Sequence, residues 1–233
     1  MKIVINEKQE INNLVSNEII RLVKSNPQAV LGLATGGTPL GIYQELIKDH
    51  QENKTDYSNI ITFNLDEYYD LDPSHPESYH SYMDKNLFSG ININPENTHF
   101  PDMNNPESYT NLIEQHKIDF QILGVGSNGH IGFNEPGTSF ESITHYVTLA
   151  ESTRKDNARF FNSLDEVPAK AVTMGLKDII RSKRIVLIAF GANKAQAIKQ
   201  LVDGTESETW PVTILQRHPY VTLYLDKEAA SLL

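Results

Sequence analysis

The sequence has no cysteine, no excess of basic residues and no long apolar run, and each absence excludes a class of protein. Without cysteine the chain cannot form disulfides, use a thiolate nucleophile or bind a metal through sulfur. Its formal net charge of −10 argues against general nucleic-acid binding, which needs a basic surface. No apolar run reaches membrane-spanning length, and the first residues are unlike a secretory signal. These features predict a cytoplasmic protein that binds neither nucleic acid nor membranes.

The chain does have short apolar runs that alternate with helical patterns from one end to the other. The predicted strands are residues 2–6, 29–34, 60–65, 120–125, 184–190 and 221–225. The predicted helices are residues 7–25, 39–50, 77–87, 107–117 and 193–203, and residues 146–149 are a candidate further strand. This alternation predicts an α/β fold with a mainly parallel sheet covered on both faces. With no internal repeat or linker, residues 1–233 are predicted to form one domain.

The most informative segment is a glycine-rich loop at residues 124–137, directly after the predicted strand 120–125. Its glycines suit a backbone that turns sharply and lets a ligand approach closely. The loop carries an imidazole, His130, and a carboxylate, Glu135, which together are typical of an acid/base site. In open parallel sheets, ligands bind beyond the carboxyl ends of the strands, where this loop is expected. The alternative is that His130 is a turn residue and Glu135 a solvated charge.

A second loop has the features of a phosphate site. Thr35, Gly36, Gly37 and Thr38 follow the predicted strand 29–34, and the sequence predicts that Thr38 caps a helix with Pro39 at its first position. Such a helix start offers unpaired N–H groups and a positive dipole end to an anion. The spacing matches neither a Walker motif nor a dinucleotide fingerprint. An ordinary capped helix is the alternative.

Two cations are candidates to complete this phosphate site. Lys194 is predicted at the start of a helix, where a positive charge is unfavourable unless an anion lies nearby. Arg159 lies in the polar segment 151–168, which is either a solvated loop or a flap over the site, and a guanidinium can bind phosphate in a bidentate manner. The alternative for both is a surface position, and Arg154 and Lys155 are as eligible as Arg159.

Adjacent carboxylates end the predicted strand 60–65. Because neighbouring side chains in an extended chain point in opposite directions, only one of Asp66 and Glu67 can face a cleft while the other caps or is solvated. Asp66, nearer the strand, is the better candidate for a base, although such a pair can also be structural. His75 and His80 have no recognised metal-binding spacing, so no metal site is predicted.

Four ordered motifs, spread over nearly the whole chain, resemble the glucosamine-6-phosphate deaminase family. They are residues 35–41 (TGGTPLG), 64–68 (NLDEY), 124–136 (GVGSNGHIGFNEP) and 157–161 (NARFF). The resemblance implies a Rossmann-like three-layer sandwich. It also implies conversion of glucosamine 6-phosphate and water into fructose 6-phosphate and ammonia, with neither metal nor cofactor.

The resemblance also implies a role for each matching residue. Asp66 would be the base that moves a proton between C2 and C1, and His130 would open the sugar ring. Glu135 would orient His130. Thr35, Gly36, Gly37, Thr38, Arg159 and Lys194 would bind the phosphate. This assignment agrees with the reading from the residues, because enolisation needs a carboxylate near the carbon acid and ring opening needs a group that titrates near neutrality.

The sequence departs from the longer, allosteric family members at two places. Asn128 stands where they carry an aspartate, so His130 has one fewer negative partner. His145 and Val147 stand where they carry basic residues that bind an acetylated sugar phosphate, and this chain ends earlier. The short, non-allosteric type is therefore expected, as a monomer or small homo-oligomer.

Two other functions remain open from the sequence. A 6-phosphogluconolactonase would share the fold, the phosphate loop and the glycine-histidine loop. It would not need a proton shuttle, so Asp66 and residues 133–136 favour the deaminase. A sugar-phosphate sensor domain could keep the phosphate loop without catalysis, but Asp66, His130 and Glu135 together favour an enzyme.

Overall fold

A seven-stranded parallel sheet forms the centre of the molecule. The structure, a computed structural model, describes residues 1–149, 151, 154, 158, 161 and 163–233. The strands of this sheet are β1 (Lys2–Ile5), β2 (Val30–Leu33), β3 (Ile61–Asn64), β5 (Thr98–His99), β6 (Phe120–Leu123), β9 (Ile185–Ala189) and β10 (Val221–Leu225). Their order is β1-β10-β9-β6-β2-β3-β5, and every pairing is parallel. The predicted mainly parallel sheet is confirmed.

Helices cover both faces of the sheet. On one face lie α1 (Lys8–Ser25), α2 (Leu40–Asn53) and α3 (Tyr79–Asn86), whose apolar residues share a buried cluster with β2, β6 and β9. The other face carries α4 (Pro106–His116), α5 (Leu176–Ile179) and α6 (Ala195–Asp203), which pack on a second cluster. Short 3₁₀ turns occur at Phe88–Gly90, Pro95–Asn97, Leu164–Glu166, Ala192–Lys194 and Pro211–Arg217. The three-layer α/β sandwich expected from the sequence is confirmed.

A small antiparallel sheet lies beside the large one. It contains β4 (Asp66–Tyr68), β8 (Lys170–Thr173) and β7 (His145–Thr148), in the order β4-β8-β7. Leu65 joins the two sheets, because its N–H donates to Leu33 O of β2 at 3.1 Å and its carbonyl accepts from Met174 N at 2.6 Å. The small sheet was not predicted as such, although residues 146–149 were a candidate strand.

The predicted helix starts differ from the structure by one or two residues, and two of these differences affect residues near the cavity. The α2 helix begins at Leu40, with Pro39 at the cap position and no side-chain cap, so Thr38 is not the predicted N-cap. The α3 helix begins at Tyr79 rather than residue 77, because the Ser78 side chain accepts a hydrogen bond from Ser81 N. In both cases the local signal lies one or two residues from the turn that tertiary packing selects.

Part of the predicted flap at residues 151–168 lies outside the described residues, and Arg159 is among these. Among the residues that are described there, Arg154 donates to the carbonyls of Leu164 and Val167, so its guanidinium holds main chain. The ring of Phe161 packs edge-on against Tyr68 at 5.8 Å between centroids. None of the described helices has the length and apolar character needed to cross a membrane.

Candidate active site

Loops from four adjacent strands meet in one cavity at the carboxyl edge of the large sheet. The cavity has a volume of about 300 Å³. It is lined by residues 34–38, Leu65, Asp66, Tyr79, 124–127, His130, Gly132, Phe133, Asn193 and Lys194. The chain leaves β2 towards β3 but leaves β6 towards β9, so the crevice lies at the point where the winding reverses. Parallel α/β sheets bind their ligands at such a point.

The loop after β2 presents its backbone to the cavity. Gly36 has φ +84°, and a Cβ atom at Gly36 or Gly37 would meet no atom within 4 Å, so the space before this loop is open. The loop is held from outside the cavity, because Tyr82 of α3 donates its hydroxyl to Gly36 O at 2.6 Å. Since the first N–H groups of a helix have no intrahelical partner, this loop and the start of α2 have N–H groups that could bind an anion.

Lys194 brings positive charge to the same cavity. It ends the short 3₁₀ turn Ala192–Lys194, which follows β9, and it lines the cavity beside Asn193. The lysine predicted from the sequence therefore lines the same cavity as the loop after β2.

Asp66 is the carboxylate of this cavity, and its surroundings disfavour its charge. Only 6% of the residue is exposed. Burial, with a smaller effect from the neighbouring Glu67, raises the pKa of Asp66 to about 8. Gly132 lies against it with φ +57°, and a Cβ there would be 3.4 Å from Asp66 Oδ2 and 2.9 Å from Thr173 Oγ1. A glycine is therefore needed where the loop after β6 passes the carboxyl group.

His130 lines the cavity with a hydrogen-bonded chain behind it. Its Nδ1 lies 2.7 Å from Asn128 Oδ1, and Asn128 Nδ2 donates to Glu135 Oε2 at 2.7 Å. Because a carboxylate can only accept, the Asn128 amide must turn its NH₂ towards Glu135 and its oxygen towards His130. The Nδ1 atom then carries the proton, which leaves Nε2 of the neutral ring as an acceptor. Asn128 and Glu135 support His130 from behind and do not line the cavity.

The ring of His130 packs directly over Gly126. A Cβ at Gly126 would lie 2.2 Å from Cε1 and 2.3 Å from Nδ1 of that ring, so Gly126→Ala must displace it. We expect kcat of the reaction proposed below to fall by about 10²-fold or more, since misplacing a general acid or base forfeits much of its contribution.

The matched variant is Gly124→Ala, because a Cβ there meets only Thr38 Oγ1, at an ordinary 3.8 Å. Steady-state kinetics should show a much smaller loss for that variant. Equal losses in the two variants would contradict the assigned role of Gly126.

The structure brings together most of the residues singled out in the sequence. One cavity is lined by Asp66, His130, Lys194 and residues 35–38. Asn128 contacts His130 from behind, and Glu135 bonds to Asn128. Tyr79, Ser127 and Asn193 also line the cavity but were not predicted. Tyr79 was missed because it reaches the cavity through the packing of α3 against the loop after β2, which has no local sequence signal. Among the described residues, no group of three or more histidines and carboxylates is arranged to hold a metal ion.

The comparisons with known proteins agree on one family. Residues 7–223 match the family model of glucosamine-6-phosphate isomerases and 6-phosphogluconolactonase. A glucosamine-6-phosphate deaminase of Thermoanaerobacter pseudethanolicus is 50% identical, over 100% of this chain and 95% of the relative. Glucosamine-6-phosphate deaminase 1 of Bacillus subtilis is 46% identical over 96% of each chain.

Solved structures show the same relationship. A structure described as a monomeric glucosamine-6-phosphate deaminase superposes with a TM-score of 0.96 at 45% identity, covering 100% of both chains. A 6-phosphogluconolactonase from Trypanosoma cruzi has a TM-score of 0.80 at 18% identity, covering 100% of this chain and 96% of the other, and this likeness shows the fold alone. The family model and the full-length relatives, together with the fold, show that the chain belongs to the glucosamine-6-phosphate isomerase and 6-phosphogluconolactonase family.

Proposed function

We propose that the chain is a glucosamine-6-phosphate deaminase, which converts glucosamine 6-phosphate and water into fructose 6-phosphate and ammonia. The observation that carries this is a single cavity with an anion-binding loop, a buried carboxyl group and an imidazole. Deaminases that are 46% to 50% identical over nearly the whole chain support it. We also propose that residues 1–233 form one catalytic domain, that it acts on a small-molecule substrate, and that it works in the cytoplasm.

In this proposal the phosphate anchors the sugar. The backbone at residues 35–38 and the start of α2 bind the phosphate oxygens, and Lys194 neutralises their charge. Arg159 is proposed as a further phosphate ligand on the family motif alone. The anchored phosphate sets the position of the sugar carbons relative to the other groups that line the cavity.

Asp66 then carries the proton shuttle. After ring opening, its carboxylate removes the proton from C2 and returns it to C1, through an enolamine to the imine of fructose 6-phosphate. Water hydrolyses that imine, and ammonia leaves. A carboxylate with a pKa of about 8 is a much stronger base than an ordinary aspartate, which suits abstraction from carbon. In the free enzyme, kcat/KM should accordingly rise with pH until about pH 8.

His130 opens the ring in the same proposal. Its protonated ring gives the Nε2 proton to the ring oxygen as the bond between C1 and that oxygen breaks, and Nε2 then takes up the proton of the C1 hydroxyl. Asn128, itself bonded to Glu135, holds Nδ1, so Nε2 is the nitrogen that exchanges protons with the sugar.

One assay separates this function from the two alternatives. Purified protein is given glucosamine 6-phosphate, with ammonia release measured, and in parallel 6-phosphogluconolactone, with acid release measured. We expect ammonia and little acid, since lactone hydrolysis has no use for a base between C1 and C2. Acid without ammonia would identify a lactonase, and binding without either product would identify a sensor.

Changing Asn128 to aspartate should move the alkaline limb of the pH–rate profile upward by about one unit. An anion 2.7 Å from Nδ1 favours the protonated ring of His130. The matched variant Glu135→Gln removes an anion 3.6 Å from the same Nδ1 and should move that limb downward. Profiles of kcat against pH for the three proteins provide the measurement. An unchanged limb in Asn128→Asp would refute this role.

We also expect hyperbolic kinetics that N-acetylglucosamine 6-phosphate does not alter. His145 and Val147 lie on β7, in the positions where allosteric relatives carry basic residues, and neither offers a permanent cation to an effector phosphate. The monomeric deaminase with a TM-score of 0.96 supports a monomer or small homo-oligomer here. Substrate saturation curves with and without the acetylated compound test this expectation, and sigmoidal curves restored by that compound would contradict it.

A further inference from the structure

Glu67, the neighbour of the proposed base, is buried and fully bonded on the side away from the cavity. It is 0% exposed. Its Oε1 accepts from Tyr68 N at 2.8 Å and Tyr79 N at 3.0 Å, and its Oε2 accepts from His80 N at 3.0 Å. The ring Nδ1 of His80 lies 2.7 Å from Oε2 and completes the set. Four donors converge on this group, which matches an ionised carboxylate.

These bonds attach α3 to β4. Tyr79 and His80 are the first residues of α3, so their N–H groups have no partner within the helix, and Glu67 satisfies both. The same helix carries Tyr79 into the wall of the cavity and Tyr82 to the carbonyl of Gly36. Displacing the start of α3 would therefore disturb both the cavity wall and the phosphate loop.

The same carboxylate acts on Asp66 through its charge. After burial, Glu67 is the second cause of the raised pKa of Asp66. The titratable groups around Glu67 are Asp66 and Tyr68 on its own strand and Tyr79 and His80 on α3, while β8 places the uncharged Val172 opposite it. Among the described contacts, none gives Glu67 a lysine or arginine partner, so its side-chain donor is the His80 ring.

His80 connects this buried carboxylate to solvent. Its side chain is 35% exposed, and its ring stacks on Phe100 with centroids 3.6 Å apart. Together with Asp84 and other residues it lines a surface groove that shares no residue with the catalytic cavity. The imidazole therefore meets solvent on one side and Glu67 on the other.

We infer that Glu67 and His80 form a positioning pair for the proposed base, in which Glu67 holds both a negative charge beside Asp66 and the start of α3, and His80 holds Glu67. This inference rests on the proposed function of Asp66. A pair that only capped α3 would affect stability and leave the titration of the base unchanged.

The test uses variants at both members of the pair. Glu67→Gln removes the charge, so the acid limb of kcat/KM should move to lower pH by about one unit. His80→Leu removes the balancing donor while leaving Glu67 charged, so the limb should move to higher pH. His80→Asn is the matched control, because its amide can place a donor near the position of Nδ1 and should hold the limb close to wild type.

Opposite shifts in Glu67→Gln and His80→Leu support the inference, and an unmoved limb in folded, active variants overturns it. If Glu67→Gln does not fold, the difference between His80→Leu and His80→Asn decides. Failure of the proposed function would show separately, as absence of ammonia release from the wild type. The carbon NMR titration of the Asp66 carboxyl group, in wild type and variants, would then test the coupling without any turnover.

Discussion

Replacing Asp66 by asparagine is expected to lower kcat for ammonia release by about 10³-fold, within the range that a positioned general base contributes. The amide nearly preserves the shape of the side chain but cannot accept a proton from C2. The phosphate loop after β2 is untouched, so binding of a sugar phosphate, measured by calorimetry, should stay close to wild type. Asp70→Asn is the matched control, because Asp70 is exposed and lies four residues further along. Near-normal turnover in Asp66→Asn would exclude Asp66 as the base.

The same variant has a second readout in stability. An unfolded aspartate has a pKa near 3.9, whereas the pKa of Asp66 in the folded protein is about 8. Between about pH 4 and pH 8 the folded state keeps a proton that the unfolded state releases, so this group lowers the free energy of unfolding as pH rises. Asparagine removes that dependence. The free energy of unfolding of Asp66→Asn relative to wild type should therefore increase from pH 5 to pH 8.5. The increase should be on the order of a few kcal/mol, at about 1.4 kcal/mol per pKa unit.

Urea unfolding at the two pH values provides this measurement. Asp70→Asn should show no such gain, because Asp70 is exposed. An activity loss in Asp66→Asn without the pH-dependent gain would mean that Asp66 is not buried as described. A gain without the activity loss would remove Asp66 from the mechanism.

Replacing His130 by asparagine is expected to lower kcat by about 10²- to 10³-fold. The asparagine amide can occupy the position of Nδ1 and keep the hydrogen bond to Asn128, but it provides nothing at Nε2. The variant therefore separates the nitrogen that holds the ring from the nitrogen proposed to move the proton. Asp66 is unchanged, so the acid limb of the pH–rate profile should remain while the overall rate falls.

His145→Asn is the control for that experiment. The Nδ1 of His145 bonds to Ile143 O at 2.7 Å, so asparagine can again replace this nitrogen, but His145 does not line the cavity. Its kinetics should match wild type. If His130→Asn is as fast as the control, ring opening must be carried out by another group or by water.

The sequence predicted the parts of this site that depend on short-range patterns. Each predicted strand was an apolar run, and parallel strands place their carboxyl ends at one edge, so Asp66, His130 and Lys194 were expected at the same edge, where they line one cavity. The positive φ angles at Gly36 and Gly132 agree with the interpretation of those glycines as turn positions.

Features set by distant contacts could not be predicted in the same way. Glu67 was assigned either to capping or to solvent, and only the position of α3 decides that it caps a helix that begins twelve residues later. The strand pairing of β4 with β8 joins residues more than one hundred positions apart, and no local pattern encodes it. Thr38 was wrong as a cap because packing starts α2 at Leu40, and Tyr79 was missed because its place in the cavity depends on how α3 packs against the loop after β2.

Asp66, the proposed base, lies on the small sheet, so its position depends on the local stability of that sheet more than on the main core. Within the described part of the chain, the cluster that supports this sheet contains four buried residues, Tyr68, Phe133, Leu149 and Ala171, whereas the large sheet has extensive cores on both faces. Regions with few buried contacts open at a lower free energy than the global unfolding transition. Partial melting of the small sheet would displace the proposed base while the seven strands and the loop after β2 stay folded, so we expect heat to inactivate the enzyme before it denatures the chain.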